Sequence, residues 1–158
     1  MIVTEIHLFD NVYFENKFLK DQVLILRAFT NSYTGELRNE GNIVVEYGNL
    51  FALHNLHDFR SEKLTVSHLK QEGEMKCANL VIEQDGVNSG TLGVDKLSGK
   101  GVFYQSKILE TKKSSKIDIY ICSFILRGPQ NITKEVVFCG NYLEIDKNCE
   151  LNINIWIT

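Results

Sequence analysis

The sequence predicts an all-β fold in which short strands wind into a stacked parallel coil, and three observations carry that reading. Val, Ile, Leu, Phe and Tyr dominate a hydrophobic fraction of 44 %, and Pro129 is the only proline among 158 residues. That apolar set favours extended structure over helix. A Gly-polar-apolar step recurs at Gly35-Glu36-Leu37, Gly73-Glu74-Met75 and Gly90-Thr91-Leu92, and its apolar residue precedes Ile43, Leu80 and Leu97 by 6, 5 and 5 positions. Finally, Leu64, Leu80 and Leu97 fall 16 and 17 residues apart, and Gly73 and Gly90 fall 17 apart. A chain returning to the same place once per coil would stack these leucines about one strand spacing apart, ~4.8 Å between Cα atoms. One such coil cannot bury its own inner face, so its stability must come from neighbours. The alternative is an antiparallel β-sandwich, whose strands also recur with turn signals, about every 8 to 12 residues.

The N-terminal residues 1–22 hold two apolar segments, 2–9 and 12–14, parted by Asp10-Asn11, then Phe18-Leu19 between lysines; they read as a cap or a hairpin. Residues 23–158 read as the stacked coils. The run at 23–26 is short enough to favour a strand. From Thr34 the Gly step leads through a polar link into Ile43-Val44-Val45, and the same grammar returns over 73–97. In it the glycines turn corners at positive φ, while alternate strand residues point into a shared core. Residues 116–126, KIDIYICSFIL, depart from the grammar as a strand long for a coil turn. Before it, 112–116 is a basic polar loop, read as a solvated turn ahead of an anion or lipid-headgroup site. After it, 127–131 is a turn around Gly128-Pro129. Short strands follow at 136–138, 142–145 and 151–157, the last placing Leu151, Ile153, Ile155 and Ile157 on one face and Trp156 on the other.

On these residues the chain resembles the bactofilins, polymer-forming bacterial cytoskeletal proteins. Residues 34–46 are similar to that family's first regular coils, 80–92 to an interior coil and 143–153 to a further one, together about half of the chain. The resemblance implies a right-handed parallel β-helix of about 16- to 20-residue coils. It also implies a nucleotide-free polymer, assembled through coil ends as a scaffold beneath a membrane. The long strand at 116–126, the Tyr- and Phe-rich start and the absence of Pro-rich tails depart from the family pattern.

Composition narrows function further. The chain is one domain large enough to hold a core without covalent staples. With 17 Lys and Arg against 20 Asp and Glu, the net charge of -3 leaves no cation excess for a nucleic-acid partner. Membrane association stays open. No segment reads as a leader or as a spanning helix of roughly 18 apolar residues, so a cytoplasmic location is expected. Cys77, Cys122, Cys139 and Cys149 form no CxxC pair and read as reduced thiols. Asn131-Ile132-Thr133 matches a glycosylation acceptor, a chance match without a secretory route.

No set of residues assembles an enzyme. His54 and His57 with Asp58 would need further converging ligands to hold a metal, and His7 and His68 cannot be brought to them by spacing. A lateral loop or helical turn with Leu53, Leu56 and Phe59 packed inward is expected there instead. Cys77 and Cys122 lack a base. Gly99-Lys100-Gly101 lacks the rest of a phosphate loop. Glu72 with Glu74, and Glu36 with Glu40, read as solvated coil faces. The expected protein is therefore non-catalytic, without cofactor or metal. It associates with itself as a homo-oligomer or polymer, with other protein partners open. Leu64, Leu80, Ile82 and Leu97 stack in its core, and Phe14, Phe18 and Trp156 cap or join its ends. The different class of function is a β-sandwich module binding a small ligand, carbohydrate or protein through its loops.

Overall fold

The computed structural model describes residues 5–8, 17–18, 23–31, 35–147, 149 and 155–158, with side chains from residue 35 onward. Twelve strands form one sheet: β1 (Glu5–Leu8), β2 (Lys17–Phe18), β3 (Val23–Asn31), β4 (Glu36–Asn39), β5 (Asn42–Asn55), β6 (Asp58–Gln71), β7 (Glu74–Asn88), β8 (Thr91–Glu110), β9 (Lys116–Ile132), β10 (Glu135–Phe138), β11 (Tyr142–Ile145) and β12 (Ile155–Ile157). The strands pair in parallel throughout, each with the next turn of the chain. Parallel neighbours need a crossover between them, and here the rest of the coil is the crossover. The fold is thus a β-solenoid of about seven turns of ~17 residues, and the antiparallel sandwich is excluded. The N-terminal strands β1 and β2 also pair in parallel, with β3 and β4, so they join the coil and form no hairpin.

The period has a geometric cause visible between β5 and β6. Residues 42–45, 47–50 and 52–55 lie in register with 58–61, 63–66 and 68–71. Three flat stretches of four residues, two one-residue corners and the two-residue link Leu56-His57 complete a turn of 16. Next to it, β7 spends two residues, Glu83-Gln84, at the corner where β6 spends only Ser67, and the turn lengthens to 17. Within each flat stretch alternate residues face inward, as the period of a strand requires.

Inward residues form columns along the solenoid. Leu64 lies beside Leu80 and Leu80 beside Leu97, as the spacing predicts, and the column continues through Ile119 and Phe138 to Ile157. Leu64, Leu80, Ile82 and Leu97 are fully buried, each such burial contributing about 1.5–3 kcal/mol. A parallel column carries Phe103 and Phe124, whose rings stack 6.2 Å apart, with Phe124 6.4 Å from Phe138.

Four expectations are corrected. First, the step Gly35-Glu36-Leu37 is not equivalent to the other two. Leu37 lies beside Leu53 on the last side of its coil, whereas Met75 and Leu92 lie side by side on the first. Equal spacing across two different corners imitated one repeat. Second, Gly73 and Gly90 do not have positive φ; a Cβ on either would lie 2.4 Å from backbone of the preceding coil. Close approach selects glycine there, and positive φ selects it at Gly99 (125°), a coil corner, and Gly128 (70°). Third, residues 116–126 are ordinary coil: the long strand β9 bends around a corner in register with β8, from Asp118 beside Lys96 to Leu126 beside Gln105. Likewise, residues 53–59 hold no helical turn. Leu53 and Phe59 are core residues on adjacent coils, and Leu56 is half-buried in the link between them.

Candidate functional site

A coil buries its inner face only through neighbours on both sides, so the last coil is where the core reaches the surface. At the C-terminal end β11 lies on β9, with Leu143 on Phe124 and Ile145 on Leu126, and β12 lies on β10, with Ile157 on Phe138. Three inward columns thus end in apolar residues. Leu143 and Ile155 are half-buried against the core, but Ile145 is 45 % and Ile157 70 % exposed, with Tyr142 and Trp156 exposed beside them. Among the described residues neither β11 nor β12 has a strand on its far side.

The expected end residues divide. Trp156 lies in β12 beside Val137, on the outward row, so it flanks the open end while Ile145 and Ile157 form it. Phe18 lies in β2 opposite Asn39, at the other end of the sheet order, and Phe14 is outside the described residues. Ile145 and Ile157 were missed in the sequence because an apolar residue continuing a core column looks the same in one coil as in any other.

The titratable groups are spent on the coil surface. His54 Nε2 bonds the Glu72 carboxylate and its Nδ1 lies 3.7 Å from Glu36, whereas His57 is exposed in the link. The His54 hydrogen bond holds the Glu72 carboxyl below its ordinary range. His68 pairs with Asp85 at 2.8 Å. Among the described residues no three His, Cys, Asp or Glu side chains are grouped to hold a metal. Glu74 faces Arg60 and Lys76, and Glu40 faces Arg38, so the paired acids sit in exposed ion pairs. Burial pushes the Cys77 thiol up to about 12, which keeps it protonated and unreactive at neutral pH. Gly99 packs its backbone against Ile82, making a coil corner of the glycine-rich segment.

The basic loop is tied down from two sides. Asp95 Oδ1 accepts backbone N–H bonds from Lys112, Lys113 and Ser114 at 2.9, 3.0 and 3.0 Å. Lys112 Nζ reaches back to the Ser61 carbonyl at 3.1 Å and to Glu62 at 3.3 Å, and Lys113 Nζ reaches Glu62 at 3.1 Å. These two lysines hold the Glu62 carboxyl below its ordinary value. The chain's own carboxylates therefore occupy the place an anion would take.

The inward column that ends in Leu126 and Ile145 is polar in its earlier coils. Asn39, Asn55, Gln71, Asn88 and Gln105 occupy one register position in successive coils, fully buried. Asn39 donates to Asn55, Asn55 to Gln71 and Asn88 to Gln105. Asn39, Asn55, Gln71 and Asn88 also donate to the carbonyls of Asp58, Glu74, Thr91 and Ile108, pinning the links. Its signal in the sequence was amide residues at 16- and 17-residue intervals, hidden because only apolar recurrence was counted.

Among the described residues no helix is long and apolar enough to cross a membrane. Comparison with protein-family models, with curated proteins and with solved structures found no match for this chain.

Proposed function

We propose that this protein is a non-catalytic structural subunit that associates with copies of itself through the ends of its β-solenoid, as a bactofilin-like scaffold would. The observation that carries this is the exposure of Ile145 and Ile157, which prolong buried columns with no strand beyond them among the described residues. A second solenoid end placed there continues the strand ladder at ~4.8 Å and covers both side chains. A cytoplasmic location and further protein partners belong to the same proposal.

Sedimentation velocity and negative-stain microscopy test it. The wild type is expected to form large species that grow with concentration. Ile145→Asp with Ile157→Asp is expected to stay small while keeping the β circular-dichroism spectrum. A monodisperse wild-type particle at every concentration and ionic strength would rule self-association out.

A further inference from the structure

The ladder between β8 and β9 breaks at one place that the core does not require. Leu126 lies beside Gln105 and pairing resumes with Gln130 beside Lys107, so Arg127, Gly128 and Pro129 leave the sheet opposite Ser106 alone. The coil links at 56–57, 72–73 and 89–90 take two residues each. This excursion lies beside Val87 and Tyr104, neighbours on one outward row, and with them borders an open surface cleft of about 480 Å³. That volume lies within the roughly 300–1,000 Å³ of small-molecule sites.

Local costs gather here. Gly128 and Lys107 both have left-handed φ, 70° and 63°, and Lys107 is the only such non-glycine among the described residues. Gln130 Nε2 donates to the carbonyls of Gln105 at 2.6 Å and Arg127 at 3.0 Å, which fixes its amide orientation and holds the base of the excursion. Its Oε1 is enclosed and is the one buried side-chain polar atom without a partner among the described residues. Left-handed backbone at Lys107 and Gly128 marks the excursion as a departure from the coil-to-coil repeat.

The chemistry of the cleft names the ligand class. The Arg127 guanidinium stacks 4.7 Å from the Tyr104 ring centroid, and no carboxylate of the described residues pairs with it. A guanidinium held over an aromatic ring by cation–π attraction keeps N–H donors for a carboxylate. Val87, Pro129 and the Tyr104 ring provide apolar walls. We propose that this cleft binds a small organic carboxylate, its charge on Arg127 and its apolar body against Val87, Pro129 and the edge of Tyr104.

Amide chemical shifts of the full chain, read during titration with sodium benzoate and with neutral benzamide, test the proposal. Benzoate is expected to give saturable shifts at Tyr104, Ser106, Arg127 and Gly128, and benzamide to bind about tenfold more weakly or worse. Arg127→Gln should remove the difference between the two, and Arg127→Lys, which keeps charge but not the fork, should restore only part of it. Absence of saturable shifts with benzoate up to tens of millimolar, equal binding of the two probes, or shifts unchanged in Arg127→Gln would each overturn it. So would inorganic phosphate producing the same shifts as strongly, since that describes a bare anion site.

Discussion

Asn55 has no exposed surface, yet its side chain accepts from Asn39 and donates to Gln71 and to the Glu74 carbonyl. Removing it strands those three groups inside the solenoid, so Asn55→Ala is expected to cost about 2–3 kcal/mol in denaturant unfolding, while Lys70→Ala on the outward row stays within about 0.5. Glycine substitutions separate two kinds of constraint. At Gly90 a Cβ meets the Glu72 and Gly73 carbonyls at 2.4 Å, whereas at Gly48 it meets only the end of the Leu64 side chain at 2.9 Å. Gly90→Ala should therefore destabilise by about 3 kcal/mol or more, and Gly48→Ala by about 1. Thiol labelling gives a third check: Cys139 is exposed and should react in the native state, whereas Cys77 should react only on unfolding.

At the scale of the element, the loop between β8 and β9 is held to the coil by Glu62 and Asp95, and the end of β5 is held to the link after β6 by His54 and Glu72. The carboxyls of Glu62 and Glu72 both titrate below the ordinary 4.5 in the folded protein, the first through its hydrogen bonds from Lys113 and Lys112, the second through that from His54. A folded pKa below the unfolded one gives stability that is present above the unfolded value and is lost as pH falls through the folded value. Melting temperature should accordingly drop below pH ~4, the drop should shrink in Glu62→Gln, and because both groups are solvent-facing the difference should fade in high salt. The strands themselves were legible wherever alternation was clean, as in 42–45 and 151–157, of which 155–157 is observed as β12. The extent of β9 was not, because a strand that bends around a corner has no polar punctuation to mark the bend.

Across the whole molecule each coil packs mainly against the coils before and after it, the reach of Lys112 and Lys113 to Glu62 being an exception, so stability is expected to be graded along the axis. Hydrogen exchange should be slowest in β6, β7 and β8, with Leu80→Ala costing about 3–5 kcal/mol, and faster in β11, where Leu143 has a coil on one side only. Uniform protection from end to end would contradict a solenoid whose terminal coil is open.

The sequence by itself determined the coil. A period of 16 or 17 with apolar residues at its inward positions leaves few ways to bury Leu64, Leu80 and Leu97 other than stacking them, because the period is set by strand length and corner count, both local. What the tertiary structure decided was register and exposure: that Leu37 belongs to a different column from Met75, that five amides share one buried position, that Arg127 stacks on Tyr104, and that Ile145 and Ile157 end their columns in solvent. Those facts depend on which residue of one coil lies beside which residue of the next, and each added or missing corner residue shifts that pairing without altering the apolar pattern.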